Sequence, residues 1–152
     1  MLTGIEFVKD RRNYGNQKIL VLCTGNSCRS QMAEGFLKKY KPEWQVESAG
    51  ISPTRVNPAA IEVMAEQGID ISGYRSKGVE EFLGQTFDYI ITVCDHAKEA
   101  CPTFPGKGKY IHWSIKDPDR GYGSKEKKLI EFRKTRDEIE NRIKTFVGEE
   151  NS

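Results

Sequence analysis

No stretch of this sequence approaches the roughly 20 consecutive apolar residues that a membrane-crossing helix requires. The opening residues, MLTGIEFVKDRRNYGNQ, lack an uninterrupted apolar core of signal-peptide length, so no export is expected and the cytoplasm is the expected compartment. Charge of one sign is also lacking. Lys and Arg number 24 against 22 Asp and Glu, a formal net charge of +2, and the charges are interspersed. That argues against nucleic acid or an anionic membrane as the main partner. Repeats, low-complexity tracts and linkers are absent. The 152 residues therefore read as one domain, residues 18–152, behind an N-terminal extension at 1–17. A chain of this length buries roughly two thirds of its unfolded surface, and nothing in it calls for an obligate assembly, so a monomer is expected. Cysteine is scarce, with four in all. In a reducing compartment these are more plausibly catalytic, redox-active or metal-binding than structural disulfides.

What is present is an alternation of apolar β-rich runs with helix-period stretches. This is the pattern of an α/β domain, a small doubly wound, four-stranded parallel sheet flanked by helices. Ile19 to Leu22 reads as a central strand buried on both faces. A helix follows with Met32, Ala33, Phe36, Leu37 and Tyr40 on one side, ending before Pro42. Gln45 to Ser48 is a short second strand closed by Ala49-Gly50. Asn57-Pro58 is a helix start, with Ile61, Met64 and Ala65 as its buried stripe and Gly68 as its stop. Strands three and four are expected at Tyr89 to Val93 and around Tyr110 to Trp113. In the last helix Leu129, Phe132, Arg136, Ile139, Ile143 and Phe146 recur at steps of three and four. Arg136 interrupts that stripe, its stem covering the edge.

The most informative segment follows the first strand: Cys23-Thr24-Gly25-Asn26-Ser27-Cys28-Arg29-Ser30, a cysteine, five residues and an arginine at the start of a helix. Such a loop aims backbone N–H groups at a tetrahedral oxyanion, and the helix dipole adds positive potential. Gly25 and Asn26 are residue types that most easily take left-handed conformations. Arg29 supplies a planar fork for two anion oxygens. The same field stabilises a thiolate, so Cys23 is expected to be nucleophilic at neutral pH, with Ser30 able to donate its hydroxyl to it.

Cys94 follows the third strand as Cys23 follows the first, and Asp117 follows the fourth. The carboxyl ends of parallel strands share one rim, so a nucleophile, a second thiol and a carboxylic acid are expected on one edge. A thiolate attacking a phosphate monoester needs only an acid for the leaving group, and Asp117 is placed to serve. Arsenate has the same shape and charge, but As(V) also accepts two electrons from a second thiol, which leaves a protein disulfide. Cys94 and Cys101 supply a route for passing that disulfide outward. Zinc is disfavoured despite His96 and His112, because Cys94-x6-Cys101 exceeds the spacing of structural sites; no metal and no other cofactor is expected. Cys28 reads as loop packing rather than a redox group.

Together CTGNSCRSQMAEG, VNPAAIEVM, GIDIS, TVCDHAKEACP and HWSIKDP resemble the thioredoxin-coupled arsenate reductases built on the low-molecular-weight tyrosine phosphatase fold, from about Lys18 to Val147. The resemblance implies that the Thr24–Ser30 loop and Arg29 hold arsenate, or phosphate or sulfate in its place. It implies that Cys23 attacks the arsenic and Asp117 assists loss of water. Cys94 then attacks Cys23 to release arsenite, and Cys101 attacks Cys94 to form a disulfide presented to thioredoxin. Cys28 matches a family cysteine outside this relay. Some members bind potassium behind the loop, and Asn26, Glu34 and Ser48 match ligand positions of that site. Arg75 and Lys77 stand where those members have Thr and Asp, so the Lys77 ammonium is expected to replace the ion. The phosphatases usually carry aromatic residues after the Asp-Pro pair; this chain has Asp119-Arg120-Gly121, with Tyr122 beyond.

Overall fold

A computed structural model describes residues 17–121 and 123–151. The N-terminal extension, apart from Gln17, lies outside the described residues. Four strands, β1 (Lys18–Cys23), β2 (Gln45–Gly50), β3 (Tyr89–Thr92) and β4 (Lys109–His112), form one parallel sheet in the order β2-β1-β3-β4. The helices are α1 (Arg29–Tyr40), α2 (Pro58–Ala65), α3 (Asp95–Ala100) and α4 (Lys125–Asn151). Strand order reverses beside β1. Right-handed crossovers from β1 to β2 and from β3 to β4 therefore carry α1 and α3 to opposite faces. The carboxyl ends of β1 and β3 meet at that reversal, the expected place for a ligand.

β1 forms at the centre because Ile19, Leu20, Val21 and Leu22 are apolar on both faces, and all four are fully buried. The sheet is fastened to α4 by Phe146, whose ring meets Tyr89, Trp44 and Trp113 edge-on at 5.0, 6.0 and 6.2 Å. α2 begins as expected, with the Asn57 side chain accepting from the Ala59 amide and Pro58 at its first position.

Several local expectations are corrected. The buried stripe of α2 is Ala59, Ala60, Val63 and Met64, whereas Ala65 is exposed and Ile61 only partly covered. α4 packs against α2. Arg136 does not cover an edge with its stem. Its head is buried and donates to the Val63 carbonyl and Glu66, so the stripe is interrupted by a satisfied polar clamp. β2 runs on to Gly50, and a short 3-10 turn at Val79–Phe82 was not foreseen. β3 and β4 each end one residue early, with the Trp113 amide still donating to the Thr92 carbonyl.

Candidate active site

The loop between β1 and α1 is shaped from outside. The carbonyls of Cys23, Thr24, Gly25 and Ser27 accept from the amides of Ile51, Ser52, Thr54 and Asn57 at 3.1, 2.8, 3.0 and 2.8 Å. Gly25 also accepts from the Ser76 hydroxyl at 2.8 Å, and Asn26 from the Gln31 amide at 3.1 Å. A peptide's N–H points opposite its C=O, so carbonyls fastened outward turn the amides inward, where an oxyanion's charge can be met. Asn26 takes the left-handed conformation, φ 47°, unique among the described non-glycine residues. Gly25 does not need it. Its freedom is spatial, since a Cβ there would stand 3.2 Å from Thr54 Oγ1.

Asn26 is the loop's keystone. Its Nδ2 donates to Ser30 Oγ at 2.8 Å and Ser48 Oγ at 2.9 Å, and its Oδ1 accepts from Lys77 N and Gln31 Nε2 at 2.8 and 2.9 Å. Within this frame Cys23 Sγ is buried, 2.8 Å from Ser30 Oγ and 3.2 Å from the Asn26 amide. Both contacts support a sulfur that carries negative charge. Cys28 is the opposite case. Burial, then the neighbouring Cys23 sulfur, push its thiol up to about 12, so it stays protonated and inert.

Arg29 reaches back over the rim. Its Nη1 donates to the Ile115 carbonyl at 2.9 Å and its Nη2 lies 4.0 Å from Asp117 Oδ2. Its Nε is buried with no partner among the described residues. A buried unsatisfied donor is costly, and an anion in the loop would satisfy it. The sequence-expected residues thus come together: Thr24, Arg29, Cys94 and Asp117 line one open cleft of about 460 Å³, with His96, Lys116 and Arg120 at its edge.

Cys94 caps α3, and its sulfur lies 3.4 Å from the Ala97 amide and 3.3 Å from the Thr24 hydroxyl, next in sequence to Cys23. Cys101 stands at the other end of that helix, half-buried, its thiol donating to the Pro102 carbonyl at 3.4 Å; burial pushes its pKa up. The start of α3 is tied to β4 through Asp95, whose Oδ1 meets His112 Nε2 at 2.9 Å and Ser114 Oγ at 3.0 Å. The His112 bond, then the Ser114 bond, hold that carboxyl below its usual range.

Behind the loop, Ser48 Oγ donates to Glu34 Oε1 at 2.6 Å, joining Asn26 to a buried carboxylate. Lys77 Nζ is buried beside it, 3.9 Å from Glu34 Oε1 and 3.7 Å from Glu47 Oε1. Arg75 instead pairs outward with Glu81. The chain's own ammonium faces Glu34, so a potassium ion there would meet a like charge and does not fit.

The sequence reading missed three contributors. Ser76 and Gln31 hold the loop's carbonyls, and no local pattern marks either. In the sequence Gly50 reads only as a strand end, yet a Cβ there would stand 2.6 Å from Thr24 O, 2.7 Å from Asn26 N and 2.9 Å from Gly25 C. The loop lies directly on that glycine.

Residues 18–151 match the low molecular weight phosphotyrosine protein phosphatase family. An arsenate reductase of Halalkalibacterium halodurans is 50% identical over 134 residues, 87% of this chain and 96% of that protein. Among solved structures, an arsenate reductase in the oxidized state superposes with a TM-score of 0.75 at 33% identity, over 88% of this chain and 98% of that one. A thioredoxin-dependent arsenate reductase of Corynebacterium glutamicum does so with a TM-score of 0.67 at 26% identity, over 96% and 72%.

Proposed function

The chain belongs to the low molecular weight phosphotyrosine protein phosphatase family, and from that premise we propose that it is an arsenate reductase working through a three-thiol relay. The observation that carries this reading is the pair Cys94 and Cys101 on α3, with the Cys94 sulfur against the residue next to Cys23. Hydrolysis of a phosphoester needs neither thiol. Transfer of two electrons to arsenate needs Cys94, and renewed turnover needs Cys101.

Arsenate enters the Thr24–Ser30 loop, where inward amides, the α1 dipole and the free Arg29 Nε meet its charge. Cys23 attacks arsenic, and a hydroxyl leaves as water with the proton of Asp117. Cys94 then attacks Cys23 Sγ. The S–As bond breaks with its electron pair staying on arsenic, which leaves as arsenite, and a Cys23–Cys94 disulfide remains. Cys101 attacks Cys94, freeing Cys23 as a thiolate, and the Cys94–Cys101 disulfide is reduced by a dithiol protein, thioredoxin. The protein itself brings no cofactor to these steps, and the cytoplasm supplies the reductant. Thioredoxin, thioredoxin reductase and NADPH test the reading directly: arsenate-dependent NADPH oxidation with arsenite as product is expected. Silence there, with brisk hydrolysis of an aryl phosphate, would favour the second reading, a phosphatase using the same loop and Asp117.

α3 imposes a conformational step. With its helix intact, seven steps of rise separate the Cα atoms of Cys94 and Cys101 by about 10 Å, whereas a disulfide needs about 7 Å or less. Residues 95–100 therefore unwind on oxidation, which also relieves the burial that holds the Cys101 thiol protonated. Amide-exchange protection across 95–100 is expected to fall in the oxidised protein; equal protection in both redox states would refute the step.

Lys77 takes the place of the potassium ion used by some relatives, so turnover is expected to be the same in potassium and sodium at equal ionic strength. A clear rate increase with potassium would overturn this.

A further inference from the structure

We propose that Asp119 is a positioning residue: through Asn57 it ties the loop that carries the acid, Asp117, to the loop that carries the nucleophile. The inference rests on the proposed roles of Cys23 and Asp117 but adds a residue to them. Asn57 is buried and held twice by its own backbone and side chain. Its amide donates to the Ser27 carbonyl of the anion loop at 2.8 Å, and its Oδ1 accepts from the Ala59 amide at 2.8 Å as the cap of α2. One group remains, Nδ2, and it donates to Asp119 Oδ2 at 3.1 Å. The other Asp119 oxygen lies 3.5 Å from Lys128 Nζ on α4.

Asp119 in turn sets the acid. Its backbone amide donates to Asp117 Oδ1 at 2.9 Å, which leaves Oδ2 turned toward Arg29. Arg120 Nε holds the Asp117 carbonyl at 3.0 Å, a contact within the same loop that anchors it to nothing else. Beyond it the chain to α4 passes Gly121 at φ 71° and Gly123, the residue type that costs most to order. The Asp117 side chain is 47% exposed, so packing alone does not hold it. The Arg29 bond to the Ile115 carbonyl holds the acid's loop on one side of Asp117, and the Asn57–Asp119 bond links it to the rigid side of the cleft on the other, so the acid's placement relative to Cys23 depends on both. The requirement is an acceptor oxygen at position 119 rather than a charge.

The variants Asp119→Ala and Asp119→Asn test this in the full chain. Asp119→Ala is expected to lower kcat for arsenate about tenfold, the scale of a slightly misplaced acid, with KM within about twofold because the anion loop is untouched. Asp119→Asn keeps the acceptor and is expected to stay within about threefold of the parent. In an Asp117→Asn background, Asp119→Ala is expected to add nothing, which a merely structural loss would not reproduce. Parent-level kcat in Asp119→Ala, or equal damage in both Asp119 variants, would overturn the proposal. The parent protein separates this from the function itself. If it reduces no arsenate, that reading fails, and the same variants are compared on phenyl phosphate, whose leaving group also needs the acid's proton. The same pattern there would sustain the Asp119 role, and its absence would overturn it.

Discussion

Replacing Cys101 by serine is expected to turn the protein into a reagent that releases one arsenite per chain and then stops. The reason lies in where the thiols stand. Cys94 is against Thr24 at the mouth of the anion loop, so attack on the Cys23 adduct and departure of arsenite need nothing from the far end of α3. Cys101 is needed only afterwards, to free Cys23. The steady-state rate should fall by about a thousandfold or more, as when any nucleophile of a relay is removed. The thiol count should drop by two after exposure to arsenate, and mass analysis should find the Cys23–Cys94 link. Cys94→Ser is expected to stop one step earlier, with no arsenite released, and Cys23→Ser before any adduct forms. Sustained turnover by the Cys101 variant would remove the relay from the mechanism, even if arsenate were still reduced.

The second large effect is expected from a residue with no functional group. In Gly50→Ala the added methyl would overlap the backbone of Thr24, Gly25 and Asn26. None of these is the flexible end of a side chain, and each is pinned from outside: Thr24 by Ser52, Gly25 by Thr54 and Ser76, and Asn26 by Gln31 and Lys77. The loop cannot step aside without releasing carbonyls that hold its amides inward. Overpacking of this kind costs about 1–3 kcal/mol of stability, and a displacement near 1 Å in a site costs about a hundredfold in rate. Phosphate affinity and kcat/KM should both collapse, while Gly73→Ala, where a methyl meets open space, leaves both unchanged. Normal phosphate binding by Gly50→Ala would show that the loop has slack the packing does not suggest.

The contrast between these two residues indicates what could be read from the chain alone. Cys23, Arg29 and the loop between them are contiguous, and a strand before and a helix after can be recognised from local periodicity. Parallel strands point their ends one way, which puts Cys94 and Asp117 on the rim of Cys23, and Thr24, Arg29, Cys94 and Asp117 do line one cleft. Gly50 and Ser76 leave no such trace, and Asn57 shows in the sequence only as a helix cap, not as a support of the loop. Each acts through a backbone carbonyl or an empty volume belonging to a residue 24 to 51 positions away in the chain, and neither has a sequence signature. In the sequence Asp119 stands out only as a position without an aromatic.

The stripe of α2 and the head of Arg136 departed from expectation for a related reason. Periodicity reports which residues are apolar, but the neighbour decides which face is covered. Here α4 packs on α2, in which Ala60 and Val63 are buried, and the Val63 carbonyl gives Arg136 a buried partner. The sequence by itself determined the parallel α/β sheet, the anion loop and the supply of three thiols and an acid, because strand and helix periods, a loop at a helix N-terminus and residue chemistry are local properties. The tertiary structure decided which carbonyls fasten that loop, that Lys77 and not Arg75 faces Glu34, and how the acid's loop is tied to the nucleophile's. Those depend on distances between segments far apart in the chain, which only packing sets.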